Sequence, residues 1–131
     1  MKVTAVIEKG SDGFYSVYVT DDLPGFGLNG AGASVEEAKK EMLAAYDEIK
    51  EIMVEEGKTV PDLEFEYQYD LKSFFDYFDW INVTKLAKKL EINRSLLSRY
   101  KHGDAFASEK QLSKIQRGLQ ELGGELLAVN F

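Results

Sequence analysis

Residues 82–103, NVTKLAKKLEINRSLLSRYKHG, have the pattern of two short helices joined by a tight turn. Asn93 is a good N-cap for the second helix, because its side chain can accept hydrogen bonds from amides of the first turn. Gly103 is a suitable stop, since glycine readily takes the positive φ that ends many helices. The apolar side chains that fall on the inner faces and in the turn are Leu86, Ala87, Leu90, Ile92, Leu96, Leu97 and Tyr100.

The outward side of the second predicted helix carries hydrogen-bond donors suited to base edges and phosphates. This is the helix-turn-helix layout, in which the second helix enters the major groove of DNA. The alternative is an ordinary helical bundle with a solvated basic face. Glu91 stands where many helix-turn-helix turns have glycine, and it accepts the required positive φ less readily. We predict base contacts for Arg94, Ser95, Ser98 and Arg99, and phosphate contacts for Thr84, Lys85, Lys101 and His102.

Charge is distributed unevenly along the 131 residues, whose formal net charge is −7. Residues 1–79 contain 7 Lys or Arg and 18 Asp or Glu, a net charge of −11. Residues 80–131 contain 9 Lys or Arg and 5 Asp or Glu, a net charge of +4. The basic C-terminal part is compatible with nucleic acid, whereas the acidic N-terminal part favours a basic partner or serves only solubility.

The composition excludes several classes of protein. The chain has no cysteine, which rules out disulfides and thiolate metal sites. No apolar run is long enough to span a bilayer, so no membrane contact is expected. The N-terminus, MKVTAVIEKG, is too short and too alternating for a signal peptide. A cytoplasmic protein is therefore expected.

Residues 1–70 predict a small α+β domain. Alternation of apolar and polar residues predicts strands at 2–9, 14–20 and 62–70, with a weaker, glycine-rich strand at 26–31. Ser34 followed by Glu37 is a capping box that opens a long amphipathic helix, which Gly57 ends. The expected order is β-β-β-α-β, with one helix over one face of a small, mostly antiparallel sheet.

Residues 71–131 predict a second, all-α domain. Its first helix would lie in the segment DLKSFFDYFDWI, with Asp70 as a possible N-cap. We expect the large apolar residues there to be core rather than an exposed platform for bases, which would need basic neighbours. They are Phe74, Phe75, Phe78, Trp80 and Ile81.

A last helix is predicted after Gly103. Ser108 with Gln111 is a second capping box, and Gly123-Gly124 is expected to break the helix. Its inner face is Leu112, Ile115, Leu119 and Leu122. An apolar tail follows, which we expect either to pack internally or to pair across a dimer axis, through Leu126, Leu127, Val129 and Phe131.

Side chains arranged for catalysis are not expected. His102 is the only histidine, and it falls among cationic residues at the end of the second predicted helix. A two-metal nuclease needs carboxylates converging from several elements. Glu8, Glu64 and Glu66 are available, but the middle of the first strand offers Thr4 rather than an aspartate. We therefore predict a non-enzymatic protein without metal or cofactor.

Several turn and helix-start motifs follow one another along the chain in a specific order. A hairpin is followed by the turn Asp22-Leu23-Pro24-Gly25, and a glycine-rich segment then runs into a Ser-x-x-Glu-Ala helix start at residues 34–38. With the basic segment 82–103 after them, these motifs resemble the HicB antitoxins, many of which carry a C-terminal DNA-binding domain. The chain departs from the family pattern at residues 20–22, Thr-Asp-Asp, and at Phe26, where cysteine is frequent.

The resemblance implies a partial RNase H-like N-terminal domain without nuclease activity, which binds and masks a small basic mRNA-cleaving toxin of the HicA type. It also implies a homodimer or homotetramer, whose paired helix-turn-helix units bind a palindromic operator DNA and repress the operon. For the toxin contact we nominate the hairpin and the loop after it, at Tyr15, Tyr18, Asp22, Leu23 and Phe26.

Two other functions stay open. A stand-alone dimeric helix-turn-helix regulator would use its N-terminal domain for dimerisation or ligand sensing. A neighbouring reading frame for a short basic toxin would favour the antitoxin over that regulator. An active nuclease of the RNase H class would cleave RNA with a metal ion, and Glu8→Gln would abolish that cleavage.

Overall fold

The computed structural model describes residues 1–131 as a mixed α and β protein with one four-stranded sheet and five α-helices. The predicted order β-β-β-α-β, followed by helices alone, is confirmed. The elements are β1 Lys2–Lys9, β2 Tyr15–Val19, β3 Asn29–Gly32, α1 Val35–Glu55, β4 Glu64–Tyr69, α2 Leu71–Tyr77, α3 Val83–Leu90, α4 Arg94–His102 and α5 Glu109–Leu127. None of the helices is both long enough and apolar enough to cross a bilayer.

The sheet has the strand order β3-β2-β1-β4. β1 pairs antiparallel with β2 and parallel with β4, and β2 pairs antiparallel with β3. Helix α1 covers one face, where Ala5, Ile7 and Val17 pack against Ala38 and Met42. Because side chains alternate along a strand, the intervening residues of β1 and β4 point to the opposite face, which no helix covers along its length.

Helix α1 is anchored by hydrogen bonds at its first turn and near its middle. The Ser34 hydroxyl accepts from the Glu37 amide at 3.1 Å, which confirms Ser34 as the predicted N-cap. The Glu37 carboxylate accepts from the Ala33 amide at 2.8 Å, one residue before the Ser34 amide that the predicted capping box would use. Further along, the Tyr46 hydroxyl donates to the Pro61 carbonyl at 2.7 Å and accepts from the Leu63 amide at 3.0 Å. These two bonds hold the chain that leads into β4 against the helix.

The helical part has its own core, in which Leu86, Ala87, Leu90, Leu97 and Tyr100 are buried as predicted. The two cores meet without a linker. Tyr69 at the end of β4 packs against both of them. The next residue, Asp70, caps α2 by accepting from the Lys72 amide at 3.1 Å.

The hairpin is also tied to α2, which the sequence did not predict. The Lys9 amide donates to the Ser73 hydroxyl at 2.9 Å. The Lys9 ammonium donates to the Gly13 carbonyl at 3.0 Å and lies 4.2 Å from the ring centroid of Tyr15 and 4.5 Å from that of Tyr77. Such cation–π contacts are worth about 0.5–2 kcal/mol each, depending on how far they are removed from water.

Three predictions of local structure are wrong. Gly123-Gly124 does not break α5, because both glycines keep helical hydrogen bonding and the helix continues to Leu127. Trp80 is not core: α2 ends at Tyr77, and the indole lies in the following turn with 68 % of its surface exposed. β3 begins at Asn29 rather than at residue 26, because Phe26 packs against the sheet core from the preceding loop.

Candidate nucleic-acid interface

The turn between α3 and α4 is built from backbone hydrogen bonds and one strained residue. The Ile92 amide donates to the Ala87 carbonyl at 3.0 Å, and the Glu91 amide donates to the Lys88 carbonyl at 3.3 Å, which is the Schellman pattern. It requires a left-handed residue, and Glu91 supplies it with φ 56° and ψ 40°. Glu91 is the only residue other than glycine with a positive φ, so the expected backbone geometry occurs without the favoured glycine.

Helix α4 has the predicted ends. The Asn93 side chain accepts from the amides of Ser95 at 2.9 Å and Leu96 at 3.2 Å. At the other end Gly103 takes φ 77° and ψ 14°. Leu97 and Tyr100 are buried, so these caps and contacts determine which side of α4 is left facing water.

The outward side of α4 carries the predicted donors, and of these only Ser98 has a side-chain partner in the chain, since its hydroxyl lies 3.5 Å from His102 Nδ1. Arg94, Ser95 and Arg99 are exposed and Ser98 is half-buried. The four ion pairs of the protein involve neither arginine. Each guanidinium therefore presents its five N–H donors to solvent, in the planar fork that suits guanine edges or phosphates.

His102 extends this surface by one turn. Its Nδ1 lies 2.7 Å from the Ser98 carbonyl oxygen. In the tautomer with its proton on Nδ1, the ring donates to that carbonyl and Nε2 points away from the helix backbone. A ring protonated on both nitrogens would also offer Nε2–H to a phosphate. The remaining predicted phosphate contacts are also exposed: Lys101 on α4, and Thr84 and Lys85 in the first turn of α3.

Lys114 is a residue of this region that the sequence analysis missed. Its ammonium, on α5, donates to the Glu91 carbonyl at 2.7 Å and so ties α5 to the strained turn. Lys89 of α3 also reaches α5, through an ion pair with Glu125 at 3.2 Å. Two of the cations in the basic half thus support the helices rather than a ligand. Only the fold reveals this, because both partners are distant in sequence.

The acidic half presents carboxylates on the uncovered face of the sheet. Glu66 of β4 is paired in register with Thr4 of β1, and it is exposed. On the same face Glu8 accepts from the Tyr18 hydroxyl at 2.7 Å. That hydrogen bond, followed by burial, raises the pKa of Tyr18 to about 12, because it favours the protonated phenol.

The residues nominated for toxin contact do not form one surface. Tyr15 and Tyr18 point to opposite faces of β2, as alternation along a strand requires. The Tyr15 ring lies against Tyr69, with centroids 6.5 Å apart, and the pKa of Tyr69 is raised by burial and by Tyr15. Leu23 and Phe26 pack against the sheet core. Asp22 is exposed, so a single partner could reach only part of this set.

Comparisons with models of protein families, with curated proteins and with solved structures found no match to this chain. No group of three or more histidine, aspartate or glutamate side chains is placed to hold a metal ion. The two charged surfaces of the protein are the basic side of α4 and the acidic face of the sheet.

Proposed function

We propose that this protein is a cytoplasmic antitoxin of the HicB type, which neutralises a basic mRNA-cleaving toxin of the HicA type and represses its own operon. In this proposal α3 and α4 form a helix-turn-helix unit, with α4 in the major groove, and the chain acts as a homodimer or homotetramer on a palindromic operator. The sheet and α1 form a partial RNase H-like domain that holds the toxin. The order β-β-β-α-β supports that domain assignment.

The observation that carries the proposal is the free basic side of α4. Arg94 and Arg99 are exposed and unpaired, although the chain as a whole has a net charge of −7. In an acidic protein, ion pairing within the chain would readily neutralise such side chains. Their freedom supports a role for them in binding phosphates and base edges.

The DNA half of the proposal is tested with the region upstream of the protein's own gene. We expect Arg94→Ala to weaken binding to that DNA by about 1–3 kcal/mol, or about 5- to 150-fold, measured by gel shift or fluorescence anisotropy. The matched control is Arg117→Ala, since Arg117 is exposed on α5 outside the proposed surface. Equal affinity of the Arg94 variant and the wild-type protein would contradict the assignment.

The toxin half is tested with the protein encoded by the neighbouring reading frame. We expect Glu66→Lys to weaken the complex about tenfold at low salt, because it places a positive charge on the face proposed to meet a basic partner. Calorimetry at two salt concentrations measures this, and the difference should shrink as salt screens the charges. Glu51→Lys is the control, since that exposed residue lies on α1.

The same two experiments separate the antitoxin from the stand-alone regulator. A chain that binds its upstream DNA but no neighbouring toxin would be the regulator. Neutralisation of the toxin in cells by the wild-type protein, with loss of that protection in Glu66→Lys, would favour the antitoxin.

A further inference from the structure

A cleft of about 550 Å³ lies between the sheet with α1 and the helices α2 and α5. Its walls are mainly apolar and aromatic side chains. They include Tyr67, Tyr69, Phe74, Leu112, Ile115 and Leu119. A concave apolar surface of this size in water indicates a site for an apolar occupant.

The end of the chain is apolar and uncovered. Leu127 is 89 % exposed, Phe131 is fully exposed, and Leu126 and Val129 are about half exposed. Large side chains exposed together in this way are unfavourable in water and mark interaction surfaces. Of the two outcomes expected for this tail, internal packing does not occur, which leaves pairing across a dimer axis.

The tail of one chain cannot fill the cleft of the same chain with its leucines. Helix α5 is continuous from Glu109 to Leu127. Leu127 therefore lies about 10 Å beyond Gln120, which is on the cleft wall, at about 1.5 Å per residue. Because a helix cannot fold back on itself, Leu126 and Leu127 cannot reach the cleft, which lies beside the first half of α5.

A second copy lying antiparallel along α5 brings the two surfaces together. Leu112, Leu119 and Leu126 are seven residues apart, which places them on one side of the helix. The side that lines the cleft in the first half of α5 thus continues as the uncovered side in the second half. Gly123 lies on the same side as Leu119 and Leu126, and an added side-chain atom there would meet nothing within 4 Å, so another helix can approach closely at that point.

We propose that the protein forms a two-fold dimer in which α5 helices pair antiparallel and Leu126 and Leu127 of each copy enter the cleft of the other. Such an interface is self-complementary, as two-fold symmetry requires, because each copy supplies both the cleft and the leucines. The inference deepens the proposed function, in which a dimer presents two α4 helices to a palindromic operator, by naming the surface that pairs them.

The mass of the full chain in solution tests the dimer. We expect size-exclusion chromatography with light scattering to give the mass of two chains for the wild type and of one chain for Leu126→Ser/Leu127→Ser. The control is Ile52→Ser/Val54→Ser, which removes apolar side chains that are also exposed, on α1, and should stay dimeric. Circular dichroism verifies that each variant is folded. A monomeric wild type, or a tail variant that stays dimeric, would overturn the proposal.

Cross-linking tests the antiparallel arrangement. The chain has no cysteine of its own, so only the introduced cysteines can form a disulfide. We expect a mixture of Gln116→Cys and Leu127→Cys chains to form a disulfide-linked heterodimer on mild oxidation. Leu127→Cys alone should not cross-link, because a Leu127 that faces Gln116 of the other copy lies about 16 Å along the helix axis from the other Leu127, at about 1.5 Å per residue, and a disulfide needs Cα atoms within about 7 Å. Asp47→Cys, on α1, replaces Gln116→Cys in the control mixture. Equal cross-linking in all three samples would overturn the arrangement.

The outcomes also separate this inference from the proposed function. Arg94→Ala should remain dimeric, since its side chain lies outside the interface. If the protein is a dimer that binds no operator DNA, the proposed interface is supported and the proposed repressor is refuted. If it is a monomer that binds a half-site, DNA binding is supported and the proposed interface is refuted.

Discussion

At the scale of single residues, Glu91 shows how much a turn can demand of its sequence. The position was recognisable beforehand, because a helix that ends before Asn93 needs a left-handed residue and the N-cap is visible in the sequence. What could not be predicted is the support from Lys114, whose ammonium binds the Glu91 carbonyl at 2.7 Å. That contact depends on where α5 lies, and α5 is distant in sequence.

Glu91→Gly should stabilise the protein by roughly 0.5–1 kcal/mol, because relief of the left-handed strain outweighs the greater entropy that glycine loses on folding. The Lys114 contact is to the backbone and is retained. The midpoint of urea unfolding measures the change. Glu121→Gly, in an exposed position of α5, is the control and should destabilise by about 1 kcal/mol. A loss of stability in Glu91→Gly would contradict the claim that the left-handed conformation of Glu91 is strained.

Tyr18 gives a prediction in alkaline solution. Its pKa rises from 10.0 to about 12 in the folded protein. A raised pKa in the folded state adds stability below the unfolded pKa, and this stability is lost as pH rises through the folded pKa. The wild type should therefore lose more stability than Tyr18→Phe between pH 10 and pH 12. Urea midpoints across that range measure it, and parallel curves for the two proteins would be the contrary result.

At the scale of elements, the starts of helices followed from the sequence, whereas the end of α5 and the exposure of Trp80 did not. Ser34, Asp70, Asn93 and Ser108 all cap where predicted, because capping depends on a few neighbouring residues. The helix break predicted at residues 123–124 does not occur, because a glycine lowers the stability of a helix by only about 1 kcal/mol. The prediction that Trp80 is buried is wrong, because the burial of a residue depends on which helices pack beside it.

The crossing of α3 and α5 yields a prediction about Gly118. A methyl group added there would overlap the terminal carbon of the buried Leu90 side chain. Gly118→Ala should therefore destabilise the protein by about 1–3 kcal/mol, since overpacking exceeds the gain in helix propensity. Thermal unfolding measures this, with Ser113→Ala, at an exposed position of α5, as the control that should not destabilise. A stabilised Gly118 variant would show that the two helices separate easily.

At the scale of the whole molecule, the separation of charge was predictable and the joint between the halves was not. Counting residues places −11 in positions 1–79 and +4 in positions 80–131. The joint depends on Tyr69, which packs on both cores, and on the bond from the Lys9 amide to Ser73. These contacts join residues far apart in the chain, so no local pattern encodes them.

The faces of the sheet were the least predictable part of the candidate site. Alternation identified β1 and β4 as strands, but the nominated toxin contacts were chosen as neighbours in sequence. Tyr15 and Tyr18 consequently fall on opposite faces of β2. The uncovered face gathers Glu8 and Glu66 from strands that are nearly sixty residues apart in the chain, so it can be recognised only once the register of the sheet is known.

The exposed indole of Trp80 has a practical consequence. It is the only tryptophan in the chain, and it stands just before Val83, where α3 begins. Indole emission shifts to shorter wavelength when water around the ring is replaced by apolar groups. The protein therefore carries a built-in optical reporter beside α3, whose colour can be followed without any attached dye while DNA or a protein partner is added.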